Sequence, residues 1–383
     1  MLSAEDKVLL NNLFVSIRRA NSNCLGYPFA RGFEYDQLGK FTQLPAINMG
    51  DPFECGNYRV NSKIFERDVV DFFASLFNAE AGSYWGYVTC GGAEGNLSGL
   101  YLAREMFPTA VTYFTRETRG NIRNATRLLG LRHVEIRAMK HGEMDYDDLK
   151  LQAMARKRHD AIVVANIGTA MKEARDDIVK IRSTLEESGI RNIYIHCDAS
   201  LSGPYATFIK PRPNFDFSHG ADSIAISGHE FFGSPVPSGV LLTRKSHVEH
   251  LTVDGANPQG RASAIIVDSR SAYAILVLWY AIRSLGKDGI RKRMEVCGDI
   301  ASQATHLMNT LGIPAWKNPG AITVVFPAVS ASLEKKWQIM TADVSQIIVT
   351  PGTSIFQIES MARELIVERR RECGLSMNSE YNK

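Results

Sequence analysis

No two cysteines in this chain stand in a C-x-x-C spacing. The six, at 24, 55, 90, 197, 297 and 373, are scattered, which argues against a disulfide framework and against a zinc knuckle. Long hydrophobic runs are missing too. The longest, Ala272 to Ile282, falls well short of the ~20 residues that a membrane span needs, so a buried helix is expected there. The opening MLSAEDKVLL puts acids and a lysine where a secretory signal requires an apolar stretch, and a reducing, cytoplasmic setting is expected. Excess charge of one sign is also absent. With 44 Lys and Arg against 41 Asp and Glu the net charge is +3, too small to argue for a nucleic acid or an anionic membrane as partner. The basic run Arg369–Arg371 reads as a solvated helix face. There is no internal repeat and no low-complexity segment.

What is present is a chain long and apolar enough for one large core and a smaller appendage: 383 residues, 45% of them hydrophobic. Three parts are expected: an N-terminal helix and loop segment (1–60), a large domain (61–289) and a small C-terminal α/β domain (290–383). In the first, Ser3 is a candidate N-cap for an amphipathic helix with apolar residues at 8, 9, 10, 13, 14 and 17. Apolar residues at 64, 65, 69, 70, 72, 73, 76 and 77 predict a core helix over 63–77. Helices and strands then alternate: helix 94–106, strand 110–115, helix 119–129, strand 133–138, helix 145–157, strand 161–167, helix 174–188, then strands 192–198, 223–227 and 239–243. Such alternation predicts a mostly parallel sheet covered on both faces, with ligands bound beyond the carboxyl ends of its strands. A long buried helix is expected over 265–285. A helix to about 311 and strands at 321–326 and 346–350 are expected in the C-terminal domain.

Three polar stretches fall at the strand ends. Thr89 to Asn96 (TCGGAEGN) places Gly91 and Gly92 just before a helix, where free N–H groups and the helix dipole favour a phosphate, although such a turn also occurs with no ligand. Ile193 to Asp198 is an apolar strand that ends in an acid, which also suits a carboxylate that merely caps a loop. Asp222 to Gly239 (DSIAISGHEFFGSPVPSG) runs from a buried strand into Ser-Gly-His-Glu.

Together with LGYPF (25–29), MGDPF (49–53), WGYVTCGGAEGN (85–96), GLYLARE (99–105) and IHCDAS (195–200), these stretches resemble, in order, the pyridoxal-phosphate-dependent group II amino-acid decarboxylases, and among them the histidine and plant-type serine decarboxylases. The resemblance implies a fold-type I (aspartate aminotransferase-like) large domain with a mostly parallel seven-stranded sheet, and a homodimer with the site at the interface. It implies pyridoxal phosphate as cofactor and an amino acid or analogue as substrate. Cofactor contacts are implied for Gly91, Gly92, Ala93, Asp198, Ser227 and His229, with Asp198 on the pyridinium nitrogen.

The chain departs from the family at Ala93, Arg119, Ala170, Glu173, Glu230, Ser271, Ala272 and Tyr273, and Asn124 replaces a family lysine. Glu230 stands where the family has its Schiff-base lysine, and a carboxylate forms no imine. Arg119 stands where the family stacks a histidine on the cofactor ring, and a guanidinium cannot exchange protons as an imidazole does. Lys245 lies beyond the next strand and is not expected to substitute. Glu230, His229 and Arg119 are the candidate catalytic residues, with Glu230 and His229 as acid–base groups on a ligand held without an imine. A pseudoenzyme or binding subunit, an ordinary decarboxylase with one Lys-to-Glu substitution, and a metal site of His196, Asp198, His229 and Glu230 are the alternatives. Since the family places positions 119 and 230 on the same cofactor, Arg119 and Glu230 are expected to face each other as an ion pair.

Overall fold

The computed structural model describes residues 1–54, 57–249, 251 and 264–372. The chain divides into two units, Phe29–Glu295 and a discontinuous unit of Met1–Pro28 with Val296–Lys383. This differs from the division at 60 and 289 expected from sequence. Leu25 accounts for part of the difference: its N–H donates to the Trp337 carbonyl at 3.1 Å and its own carbonyl accepts from Ile348 N–H at 2.8 Å.

In chain order, the strands of the larger unit are β1 (Ile47–Met49), β2 (Tyr84–Thr89), β3 (Val111–Thr115), β4 (Arg132–Ile136), β5 (Ala161–Asn166), β6 (Ile193–Asp198), β7 (Ser223–Ser227), β8 (Gly239–Arg244) and β9 (Ser269–Ser271). Seven form one sheet in the order β2-β8-β7-β6-β5-β3-β4. Only β8 runs against its neighbours; the other pairings are parallel. The fold is thus α/β with a mostly parallel seven-stranded sheet, as expected. Strand β2 was not anticipated, because its apolar run merges into the glycine turn that follows.

The helix Gly92–Met106 shows how sequence sets the packing. Its face carries Gly92, Gly95 and Gly99, three and four residues apart. A Cβ at Gly95 would come within 2.9 Å of the Ala225 Cβ, and one at Gly99 within 2.3 Å of His196 Nδ1. Only the missing side chains let the helix sit this low on β6 and β7. Leu100 and Ala103 then bury against Phe114, Ile162, Val164 and Tyr194, and Leu102 buries beside Tyr87 and Leu241.

The helix expected from residue 265 begins instead at Ala272, in the helical stretch Ala272–Thr310, which breaks at Gly286 (φ 59°). Residues 269–271 form β9, paired with β1. Buried Arg270 holds this ribbon in place through bonds from its Nε and Nη2 to Glu66, 3.2 Å each, and Glu66 also accepts from Val88 N–H and Asn48.

In the other unit, β10 (Thr323–Pro327), β11 (Met340–Thr341) and β12 (Val344–Ile348) make a sheet in the order β10-β12-β11. The helix Ala4–Asn21 begins with a reciprocal cap: Asp6 N–H donates to Ser3 Oγ at 3.1 Å and Ser3 N–H to Asp6 Oδ2 at 3.2 Å. None of its residues is buried, so Leu9, Leu13, Phe14 and Ile17 lie on the surface. No helix among the described residues is long and apolar enough to cross a membrane.

Candidate active site

The polar motifs gather at the carboxyl edge of the sheet, where strands end and loops begin. Gly91 is the N-cap of the helix Gly92–Met106 and has φ +145°, a conformation natural to glycine. A Cβ on Gly92 would lie 2.5 Å from Ser200 Oγ and 2.6 Å from Ser227 Oγ. The glycine turn is therefore pressed against two hydroxyls from the ends of β6 and β7. Ser227 and His229 were expected here; Ser200 was not, although Asp-x-Ser is a turn signature. Ala93 is exposed and offers no hydroxyl.

Asp198, at the end of β6, is 3% exposed. Its Oδ1 accepts from Ser200 Oγ at 2.6 Å and from Ser200 N–H at 3.3 Å. Its Oδ2 is buried and has no hydrogen-bond partner. The acid therefore caps the turn with one oxygen and leaves the other unmatched.

His196, two residues earlier, points elsewhere. Its Nδ1 meets Ser223 Oγ at 2.7 Å and its Nε2 meets Asn96 Oδ1 at 3.0 Å, beneath the Gly92–Met106 helix. Burial lowers its pKa to about 4, against a smaller upward pull from Asp198, so the ring is neutral at pH 7. The metal reading needed this imidazole, and among the described residues no group of three or more His, Cys, Asp or Glu side chains is placed to hold an ion.

Arg119 and Glu230 meet. Nη1 donates to Oε1 and Nη2 to Oε2, both at 3.3 Å, a two-pronged pair between residues 111 apart in the chain. The Glu230 side chain is 5% exposed and that of Arg119 26%. Burial alone would disfavour the guanidinium charge, but the Glu230 and then the Asp198 carboxylate outweigh it and raise the Arg119 pKa above its ordinary value. The ion pair expected from sequence is thus present. Next to Glu230 in the chain, His229 donates from Nδ1 to the Ser238 carbonyl at 3.2 Å, which fixes the proton on Nδ1, and its Cε1 lies 3.6 Å from where a Cβ on Gly91 would stand.

One neighbouring cluster was missed. Glu173 has φ +50°, which is uncommon for a residue with a side chain, and it is fully buried. Its Oε1 accepts from Arg175 Nη2 at 2.6 Å, Tyr205 Oη at 2.8 Å and Ser202 Oγ at 3.2 Å. Burial, and then Glu173, push the Tyr205 phenol well above its usual range. The departure at 173 was visible in sequence; the buried network that accepts its carboxylate was not. Lys245, by contrast, lies at the other end of β8 from Gly239, about 20 Å away at ~3.4 Å per residue. Its closest acid is Glu249, at 3.8 Å.

Residues 101–326 match the model of the pyridoxal-dependent decarboxylase conserved domain. A histidine decarboxylase of Mesorhizobium japonicum is 48% identical over 371 residues, covering 97% of this chain and all of that protein. One of Acinetobacter baumannii is 39% identical over 348 residues, covering 90% of this chain and 91% of the other. Among solved structures, the L-methionine decarboxylase of Streptomyces sp. 590 superposes with a TM-score of 0.85 at 22% identity, with 96% of each chain covered. By the span of that family match and by its identity to relatives along nearly its whole length, this chain belongs to the pyridoxal-dependent decarboxylase family.

Proposed function

We propose that this chain is a decarboxylase-lineage protein that acts on an amino acid, or a related small molecule bearing an amine and a carboxylate, without holding pyridoxal phosphate as an imine. The observation that carries the reading is the Arg119–Glu230 pair. Against the family's cofactor the residues fit in part: the glycine turn with its flanking hydroxyls suits a phosphate, and the unmatched Asp198 Oδ2 suits a ring N–H. They do not fit its covalent attachment, because a carboxylate stands where an amine is needed and is already engaged by a guanidinium.

The same pair suits an amino acid directly. An incoming carboxylate can take the place of Glu230 on the planar fork of Arg119, which leaves Glu230 free to accept a proton from the ligand's ammonium. Nε2 of His229, the residue next to it in the chain, is a second acid–base group. The curated relatives are named for histidine, which makes histidine the first amino acid to assay. The exposed apolar residues of Ala4–Asn21 support a homodimer. A binding subunit without catalysis is the second reading, favoured by the engagement of both Glu230 oxygens.

The test is to add pyridoxal phosphate to the purified protein, record its visible-range spectrum, reduce with borohydride and weigh the protein by mass spectrometry. We expect no aldimine band and no adduct. A stoichiometric pyridoxyl adduct would overturn the reading.

A further inference from the structure

Outside the candidate active site, the larger unit carries an open hollow of about 430 Å³ between the segment Asp36–Gln43 and the helical stretch Ala272–Thr310. Its apolar walls are Leu38, Phe41, Trp279 and Tyr280, and the two charged side chains that line it are Lys40 and Arg283. No acid lines it. The aromatic walls are held by contacts of their own. Trp279 donates from Nε1 to Asp68 Oδ2 at 3.1 Å and meets the Phe65 ring edge-on, with 4.8 Å between ring centres. Tyr280 packs on Phe33 and on Tyr35, with ring centres 6.0 Å apart in each case, and Leu38 is 5% exposed. The two cations differ from the walls in being uncommitted. Lys40 lies over the Phe41 ring at 5.4 Å, both Lys40 and Arg283 are exposed, and neither makes an ion pair with an acid among the described residues.

We infer that this hollow is a second binding site, for a small aromatic carboxylate, with the ring against Trp279 and Tyr280 and the carboxylate on Lys40 and Arg283. Walls that are already held in place take up a flat apolar body at little ordering cost, and a hollow of this size suits a small organic molecule. Two like charges that share one hollow without an acid are relieved by an anion, and the planar fork of an arginine matches a carboxylate. A cationic ligand would meet two cations and no counter-charge. A neutral aromatic would fill the walls and leave both charges unmatched. None of the lining residues belongs to the candidate active site, so the inference does not depend on how Glu230 is read.

The experiment is calorimetric titration of the purified full chain at pH 7 and low salt with three probes. The 2-naphthoate ion has the ring and the charge, 2-naphthylmethanol has the ring without the charge, and acetate has the charge without the ring. Naphthoate should bind saturably and about tenfold tighter than naphthylmethanol, the factor expected of two solvent-exposed ion pairs, while acetate should show no saturation over the same range. The Lys40→Gln, Arg283→Gln double variant should lower naphthoate affinity to that of naphthylmethanol and leave naphthylmethanol unchanged. Absence of saturable naphthoate binding, which a second copy seated over the hollow would produce, would overturn the assignment. So would equal affinities for naphthoate and naphthylmethanol in the wild type, or an unchanged naphthoate affinity in the folded double variant, which would place the ligand elsewhere, on Arg119 for example. Both replaced side chains are exposed, so the variant is expected to fold; if it does not, each single variant, with a loss of about threefold, decides in its place.

Discussion

Removing Arg119 should strand a buried acid, and the size of the penalty follows from the geometry. At 3.3 Å the bare attraction to Glu230 is about 5 kcal/mol at an effective dielectric of ~20 and about 1 kcal/mol in water. Desolvation cancels part of this, and with the arginine side chain 26% exposed the pair sits between those limits, so a coupling of about 2 kcal/mol is expected. Arg119→Ala alone should cost roughly 3 kcal/mol, because it leaves Glu230, 5% exposed, without a counter-charge. Glu230→Gln in the Arg119→Ala background should return about 2 kcal/mol, since a neutral amide tolerates the site. Urea unfolding of the wild type, both single variants and the double variant, compared at matched slopes, closes the cycle. If the two changes add within ~0.5 kcal/mol, the pair has no mutual role and Arg119 is to be reassigned to ligand binding.

Glu230→Lys by itself should leave decarboxylation of histidine at least ~10²-fold below that of active relatives, because the stacking imidazole and the hydroxyls at 93 and 170 are still missing; turnover near theirs would show that the other departures are neutral. The lowered pKa of His196 makes the fold acid-labile. Its contribution is fully present above the unfolded value of 6.5 and is lost as pH falls toward about 4, roughly 3 kcal/mol at most. Asp176, raised to about 6 chiefly by burial, works in the opposite direction, its contribution being lost as pH rises through that value. His196→Gln should therefore flatten the decline between pH 6.5 and 4 relative to wild type, and an unchanged pH profile by thermal melting would contradict the assignment. At Glu173, φ +50° makes glycine the better replacement. Glu173→Ala and Glu173→Gly should both destabilise, with the alanine variant worse by about 1 kcal/mol, and equal stabilities in urea unfolding would refute this.

The alternation of helices and strands was readable because periodicity is local: side chains repeat every 3.6 residues on a helix and every two on a strand, whatever they pack against. The missed elements depend on pairing. Strand β2 exists as a strand because it lies along β8, and Ser269–Ser271 is held extended by β1 and Arg270 rather than wound into the helix that its apolar neighbours suggested. His196 shows the same limit. The two-residue spacing put it on the same strand face as Asp198, but the glycine at 99 lets a helix close over it and bind its ring away from the acid.

Sequence by itself determined the ancestry of this chain, the glycine turn, the acid at 198 and the glutamate at 230, since these are matters of residue identity in order. It also supplied the reason to expect Arg119 and Glu230 to meet. Tertiary structure alone decided that they do meet, through both prongs of the fork, and that Asp198 keeps one oxygen without a donor. A hydrogen bond depends on a few tenths of an ångström and on angle, and for residues 111 apart those are set by how the whole sheet and its covering helices pack.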